Sequence, residues 1–186
     1  KGPITFARDE HPRRDTTMAA LSRLSPSFGK DGTVTAGNAS GVSDGAAAVM
    51  LMTREKAEAL GLRPFARVRS TARFGVDPRM ICMSPGPAAK VALDRIGVAP
   101  AEVGWWEINE AFASGVLSSC GGLGIGLESG SPLGGGIALG HPVGCSGVRT
   151  IVTMMYAMRR TGTRIGVSSI GGGGGIGTAA VLELSE

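Results

Sequence analysis

The sequence predicts a layered α/β domain, and three observations carry that prediction. Apolar runs of strand length alternate with amphipathic segments of helix length from residue 46 onward, in the order β-α-β-α-β-α-β-β. The last two strands flank five consecutive glycines, Gly171 to Gly175, which read as a bare-backbone turn between buried strands. At 186 residues, 42% apolar and 18% charged, the chain has the size and composition of a soluble globular unit with a core of its own.

Residues 1 to 37 are polar and irregular except for a helical stretch from Thr16 to Leu24, where Met18, Leu21 and Leu24 recur at threefold spacing and Asp15 is placed to cap. Gly37 to Gly45 is turn-forming, and the apolar run Ala46 to Met52 reads as a buried strand. Thr53 then caps a helix from Arg54 to Leu60, stopped by Gly61. Phe65 to Phe74 alternates like a half-buried strand, and Gly86 to Ile96 reads as a helix with Ala88, Val91, Ala92 and Ile96 on one face. Trp105 to Ile108 is a strand, Glu110 to Ser119 a helix, and residues 120 to 136 a long Gly/Ser/Pro loop suited to covering a site. Cys145 to Arg160 is a helix whose Val148, Ile151, Val152, Met155 and Met158 face inward, with Arg159 and Arg160 matched to the negative end of its dipole. Ile165 to Ile170 and Ile176 to Glu183 are the closing strands.

Charge and cysteine usage exclude several classes. The net charge is +4, yet the basic residues are scattered apart from the pairs Arg13-Arg14 and Arg159-Arg160, so no nucleic-acid surface is expected. Cys82, Cys120 and Cys145 are odd in number, widely spaced and without a nearby histidine, which supports neither a disulfide framework nor a metal site. Unpaired thiols fit a cytoplasmic protein, and no apolar run approaches the ~18 residues of a membrane span. The start at Lys1-Gly2-Pro3, without methionine, fits a processed product or a piece of a longer polypeptide.

The stretch Gly134 to Pro142 puts one of only two histidines, His141, on a glycine-rich loop. Imidazole titrates near neutrality unaided, so a histidine where bare backbone lets a substrate approach is a candidate acid/base. Asn109 sits at the break after the Trp105 strand, a second loop-edge polar group. A lone loop histidine is by default structural, and His11 reads as a solvated residue on a polar segment. Gly41-Val42-Ser43-Asp44-Gly45 fits the serine-hydrolase elbow G-x-S-x-G, but a polar turn precedes Ser43 and a strand, not a helix, is expected after it. Gly172, Gly174 and Gly177 outline a dinucleotide fingerprint, which needs a helix and an acidic residue that the remaining residues do not supply.

Taken together, Asn109-Glu110-Ala111-Phe112, the Gly140-His141-Pro142 loop and the terminal glycine hairpin resemble the thiolases, acyl-CoA C-acyltransferases that make or cleave 3-ketoacyl-CoA. Gly32 to Gly41 is similar to that family's coenzyme A segment, and Asp9-Glu10 with Arg13 to the stretch before it. The resemblance implies a thiolase-like βαβαβαββ layered domain over residues 64 to 186. Residues 1 to 42 would be the end of the coenzyme A-binding loop region, and 43 to 63 the last strand and helix of a first half that carries the nucleophilic cysteine and has no counterpart here. It further implies that His141 activates the thiol, that Asn109 holds a water in an oxyanion hole, and that Gly173 donates its N–H to a second one. Arg13, Ala36, Gly37, Ser40, Ala111 and Phe112 would contact coenzyme A. The coenzyme A thioester would be a substrate, with no tightly bound cofactor, no nucleic-acid or membrane partner, and a homodimer or homotetramer as the full-length assembly.

Two departures stand out. Gly171 occupies the position of the family's second catalytic cysteine, and Pro132-Leu133 replace polar residues usual before the glycine pair. Glycine has no group to carry a proton, so impaired carbon–carbon condensation and thiolysis are expected, by ~100-fold or more. The alternative is a thiolase-like protein that binds acyl-CoA or a partner subunit without turnover.

Overall fold

Two antiparallel strands joined by glycine, with a parallel strand added at one side, organise the chain. In the computed structural model, which describes residues 2–185, the strands are β1 (Ala66–Gly75), β2 (Trp105–Ile108), β3 (Ile165–Gly172) and β4 (Ile176–Leu184). Their order in the sheet is β1-β4-β3-β2, with β4 antiparallel to both neighbours and β2 parallel to β3. A parallel pair needs a crossover. Here it runs through α4 (Ala113–Leu123), α5 (Gly136–Leu139) and α6 (Ser146–Thr161), numbered after α1 (Met18–Leu21), α2 (Arg54–Ala59) and α3 (Pro85–Asp94).

Side chains alternate across the sheet, so each face buries its own set. On one face α3 lays Ala88, Ala89, Ala92 and Leu93, all 0% exposed, against Ala72, Val167, Ala179 and Val181. Three alanines let the helix approach closely, and full burial of Leu93 contributes about 1.5–3 kcal/mol. On the other face α6 packs Met154 and Met158 against Leu182. Gly166 of β3 makes room for them: a Cβ there would meet Met154 Sδ at 2.8 Å.

The structure corrects several expectations. Ala46 to Met52 is not a strand: no neighbouring strand takes its backbone hydrogen bonds, and Met50 and Leu51 are 82% and 77% exposed. The N-terminal helix shrinks to α1, capped by Thr17, whose side chain accepts from Ala20 N, and not by Asp15. The helix expected from Glu110 starts later, because Phe112 bridges to Ala39 in extended conformation and Ser40 N donates to Ala111 O at 2.9 Å. It runs on to Leu123, inside the expected loop, and stops at Gly124 with φ +67. In α6 the inward stripe is Ser146, Thr150, Met154, Ala157 and Met158, while Val148, Ile151, Val152 and Met155 are only half-buried. The strand beneath decides this. Ser168 offers a hydroxyl that Thr150 Oγ1 meets at 2.8 Å, and Gly166 offers space, so small and polar residues dock there.

Glu183, 5% exposed on β4, is held by Arg67, Arg69 and Arg164 at 2.5, 2.8 and 2.6 Å. Hydrogen bonds from Arg67 and Arg69, with a smaller one from Arg164, pull its carboxyl down to about 2. A depressed carboxylate stabilises the fold above its unfolded value, and that contribution is lost as pH falls through the folded one. Thermal melts should therefore show stability declining between pH 5 and 2. Glu183→Gln should flatten that decline and lower the melting temperature at pH 7; an unaltered acid limb would count against the clamp.

Candidate active site

Where β2 ends, the chain turns out of the sheet at Asn109, 4% exposed, whose N–H donates to Ser169 O at 2.9 Å. The loop after α5 reaches the same place from the other side. Its last glycine, Gly140, has φ +97, a conformation open to glycine at little cost, and a Cβ there would run into Ser43 Oγ. His141 N then donates to Gly41 O at 3.1 Å. Glu110 fixes the start of this loop by accepting from Ile137 N at 3.2 Å, and Gly136 lets Glu110 O lie where a Cβ would be only 2.7 Å away. The two turns meet with Asn109 Nδ2 3.4 Å from His141 Nε2.

The hydrogen bonds assign the proton on the imidazole. Ser146 Oγ donates to Pro142 O at 3.0 Å, so it accepts from His141 Nδ1–H, 2.6 Å away. A neutral imidazole then has its lone pair on Nε2, toward the Asn109 amide. Burial, and secondarily the charge of Arg149, push the imidazole below its ordinary value, which favours its neutral form with Nε2 bare. That is the state a base must hold in order to activate a thiol.

A pocket of about 400 Å³ opens beside this nitrogen. It brings together His141, Ser40, Ala111, Phe112, Gly171 and Gly173, with Ile81 and Ile176 among its apolar walls. Arg13, Ala36 and Gly37 do not line it, and Asn109 reaches it only through His141. Arg13 and Ala36 are exposed on the N-terminal segment, and Gly37 packs under α1, where a Cβ would meet Leu24 Cδ1 at 2.7 Å. Gly171 puts main chain alone at the pocket wall, and a Cβ there would lie 3.1 Å from the buried Ser84 Oγ.

Ser43 has no strand before it and no helix directly after it, so the hydrolase elbow is absent, and β3 and β4 form a hairpin, not a strand–turn–helix. His11, expected in solvent, instead bonds through Nε2 to Ile137 O at 3.0 Å and packs its ring on Gly41, pinning the N-terminal segment to the site. Sequence reasoning also missed Ser146, Glu107 and Arg149. Position supplied the available signal: Ser146 and Arg149 lie one helical turn apart, and Glu107 shares a strand face with Asn109. Among the described residues no helix is long and apolar enough to cross a membrane.

The family model for the thiolase C-terminal domain matches residues 62–184, and that for the thiolase N-terminal domain matches residues 1–55. The chain is 45% identical over 185 residues to an acetyl-CoA acetyltransferase of Syntrophomonas wolfei, covering 98% of this chain and 46% of that protein. Among solved structures, the acetyl-CoA acetyltransferase of Bacillus anthracis superposes with a TM-score of 0.92 at 42% identity, covering 98% of this chain and 46% of that one. Human mitochondrial 3-ketoacyl-CoA thiolase in complex with CoA superposes with a TM-score of 0.88 at 37% identity, covering 96% and 45%. The chain thus spans about half the length of the curated relatives it matches.

The proton assignment can be tested directly. Imidazole ¹⁵N shifts at pH 7.5 should show His141 with Nδ1 protonated and Nε2 bare, and Ser146→Ala should convert it to a mixture of tautomers. Identical spectra for the two proteins would remove Ser146 from the site.

Proposed function

The chain belongs to the thiolase family, and on that premise we propose that it forms the C-terminal part of an acyl-CoA C-acyltransferase acting on acetyl-CoA or 3-ketoacyl-CoA. The approach of Asn109 Nδ2 to His141 Nε2 at 3.4 Å, beside an apolar pocket, is the observation that carries this reading. Residues 1 to 42 are read as the end of the coenzyme A-binding loop region, 43 to 63 as the end of the first half, and 64 to 186 as the C-terminal domain.

In this proposal the reacting thiol comes from outside these 186 residues. His141 Nε2 takes the thiol proton, the thiolate adds to the thioester carbonyl, and a carbon–sulfur bond forms as the bond to coenzyme A breaks. The protonated Nε2 donates a hydrogen bond to the carbonyl oxygen while that oxygen is negative, then returns the proton to the departing thiolate. Asn109 supplies a second donor, directly or through a water, and each such donor is worth about 3 kcal/mol in the transition state. Gly173, whose N–H has no bulky side chain around it, serves the acylated cysteine. Ser40, Ala111 and Phe112 receive the pantetheine end of coenzyme A. Arg13, Ala36 and Gly37 contact it farther out, where a guanidinium suits the nucleotide.

Acyl transfer to and from coenzyme A needs only one proton carrier, which His141 is. Forming or cleaving the carbon–carbon bond needs a second, at the substrate α-carbon, and Gly171 has none. The proposal therefore assigns this protein competent acyl exchange and slow condensation and thiolysis. Unpaired thiols and the family's habits support a cytoplasmic homodimer or homotetramer in fatty-acid metabolism.

The full-length protein carrying this chain is the one to assay. His141→Ala should lower kcat for acetyl exchange between acetyl-CoA and free coenzyme A by about 10²- to 10⁴-fold, and Asn109→Ala by about 10²-fold. Wild-type rates in both would end the acyl-transfer reading, and coenzyme A binding without turnover in the parent protein would make it a binder. Gly171→Cys, combined with Ser84→Gly to free the space its Cβ needs, should raise condensation by about 100-fold.

A further inference from the structure

Trp105, Glu107 and Asn109 alternate along the end of β2 and share one face, toward α6. On α6, Ser146 and Arg149 lie one turn apart and face back toward β2. The seam between them is therefore polar over two levels. On the upper level Asn109 meets His141, which Ser146 holds. On the lower level Trp105 Nε1 donates to Glu107 Oε1 at 3.0 Å, and Arg149 Nη1 lies 3.9 Å from Glu107 Oε2.

This lower level is an unusual thing to bury. Glu107 is 0% exposed and the Arg149 side chain 21%. Glu107 Oε2 and both Nη atoms of Arg149 are buried without a protein hydrogen-bond partner, and so is Asn109 Oδ1 above them. The guanidinium thus stands 3.9 Å from the Glu107 carboxylate, one helical turn from the Ser146 that holds His141, with no hydrogen bond that would satisfy it as a structural element. A buried ion pair is weak evidence for stability, since a well-packed apolar pair serves a core as well or better. Its retention beneath a reactive imidazole calls for a role in that site.

We propose that Arg149 is a positioning residue for the imidazole: paired with Glu107 across the seam, it sets a fixed cation one helical turn from the Ser146 that holds His141, so that a second positive charge on the ring is disfavoured. This rests on the reading of His141 as the base. The other ionisable groups nearby are committed elsewhere: Glu110 to Ile137 N, and His11 to Ile137 O. Glu107 itself, raised by burial to about 7 despite Trp105 and Arg149, loses part of its charge near neutrality, which leaves the cation less compensated. Both the cation and burial act in the same direction on His141.

The chain has two histidines, so His11 is a built-in control for an NMR titration of the imidazole signals from pH 4.5 to 8. Arg149→Met should raise the His141 midpoint by about one pH unit and leave His11 unmoved, while Arg149→Lys should keep it low. Glu107→Gln, which removes the anchor but not the cation, should lower the midpoint or broaden it beyond the accessible range. A His141 midpoint that stays put in a folded Arg149→Met protein overturns the proposal. If that variant does not fold, a Glu107→Gln midpoint that is unchanged or higher does so instead. Because this readout needs no turnover, failure of acyl transfer in the full-length enzyme would leave it standing, and the converse also holds.

Discussion

The 2.6 Å contact between His141 Nδ1 and Ser146 Oγ ties the reactive loop to the first turn of the helix that covers the sheet. Everything else at the site follows from it. The hydroxyl is held by Pro142 O, so it can only accept, and that choice sets which ring nitrogen faces the pocket. The helix is in turn held by Thr150 on Ser168 and by two methionines over Gly166. Position of the His141 imidazole is thus inherited from core packing, which is far stiffer than a glycine loop could be alone.

The parallel pairing of β2 with β3 provides the other fixed point. Its ladder runs through Ile108 opposite Ser169 and continues with Asn109 N on Ser169 O, so the amide leaves the sheet at a defined height. Two turns distant in sequence therefore converge through main-chain hydrogen bonds and one shared helix.

Much of this was legible in the residues. Alternation identified β1 and the closing hairpin, glycine marked where backbone must crowd a substrate, and a strand break marked Asn109. What stayed hidden were features whose signal lies in tertiary context. Ala46 to Met52 has a strand's composition, but a strand exists only beside another, and none lies next to it here. The apolar count on α6 favoured Val148 and Ile151, whereas a polar, glycine-bearing strand selected Ser146 and Thr150. Glu107 in an apolar run, and Arg149 within a helix, each look like solvated charges until strand and helix are laid face to face. His11 lies in a polar segment, and only the fold reveals that the ring has a carbonyl to reach for.

The glycine hairpin has a consequence for how this pocket can change over time. Gly173 has open space around its Cβ position and a backbone that other residues share, whereas Gly175 has φ +82 and would drive a Cβ into Val76 O. Positions two residues apart in one turn thus face opposite fates under mutation, one open to a side chain and the other closed to it. Because any substitution of a glycine adds atoms, change at the bare-backbone part of this wall can only narrow the cavity, and widening must come from side-chain walls such as Ile81 and Ile176.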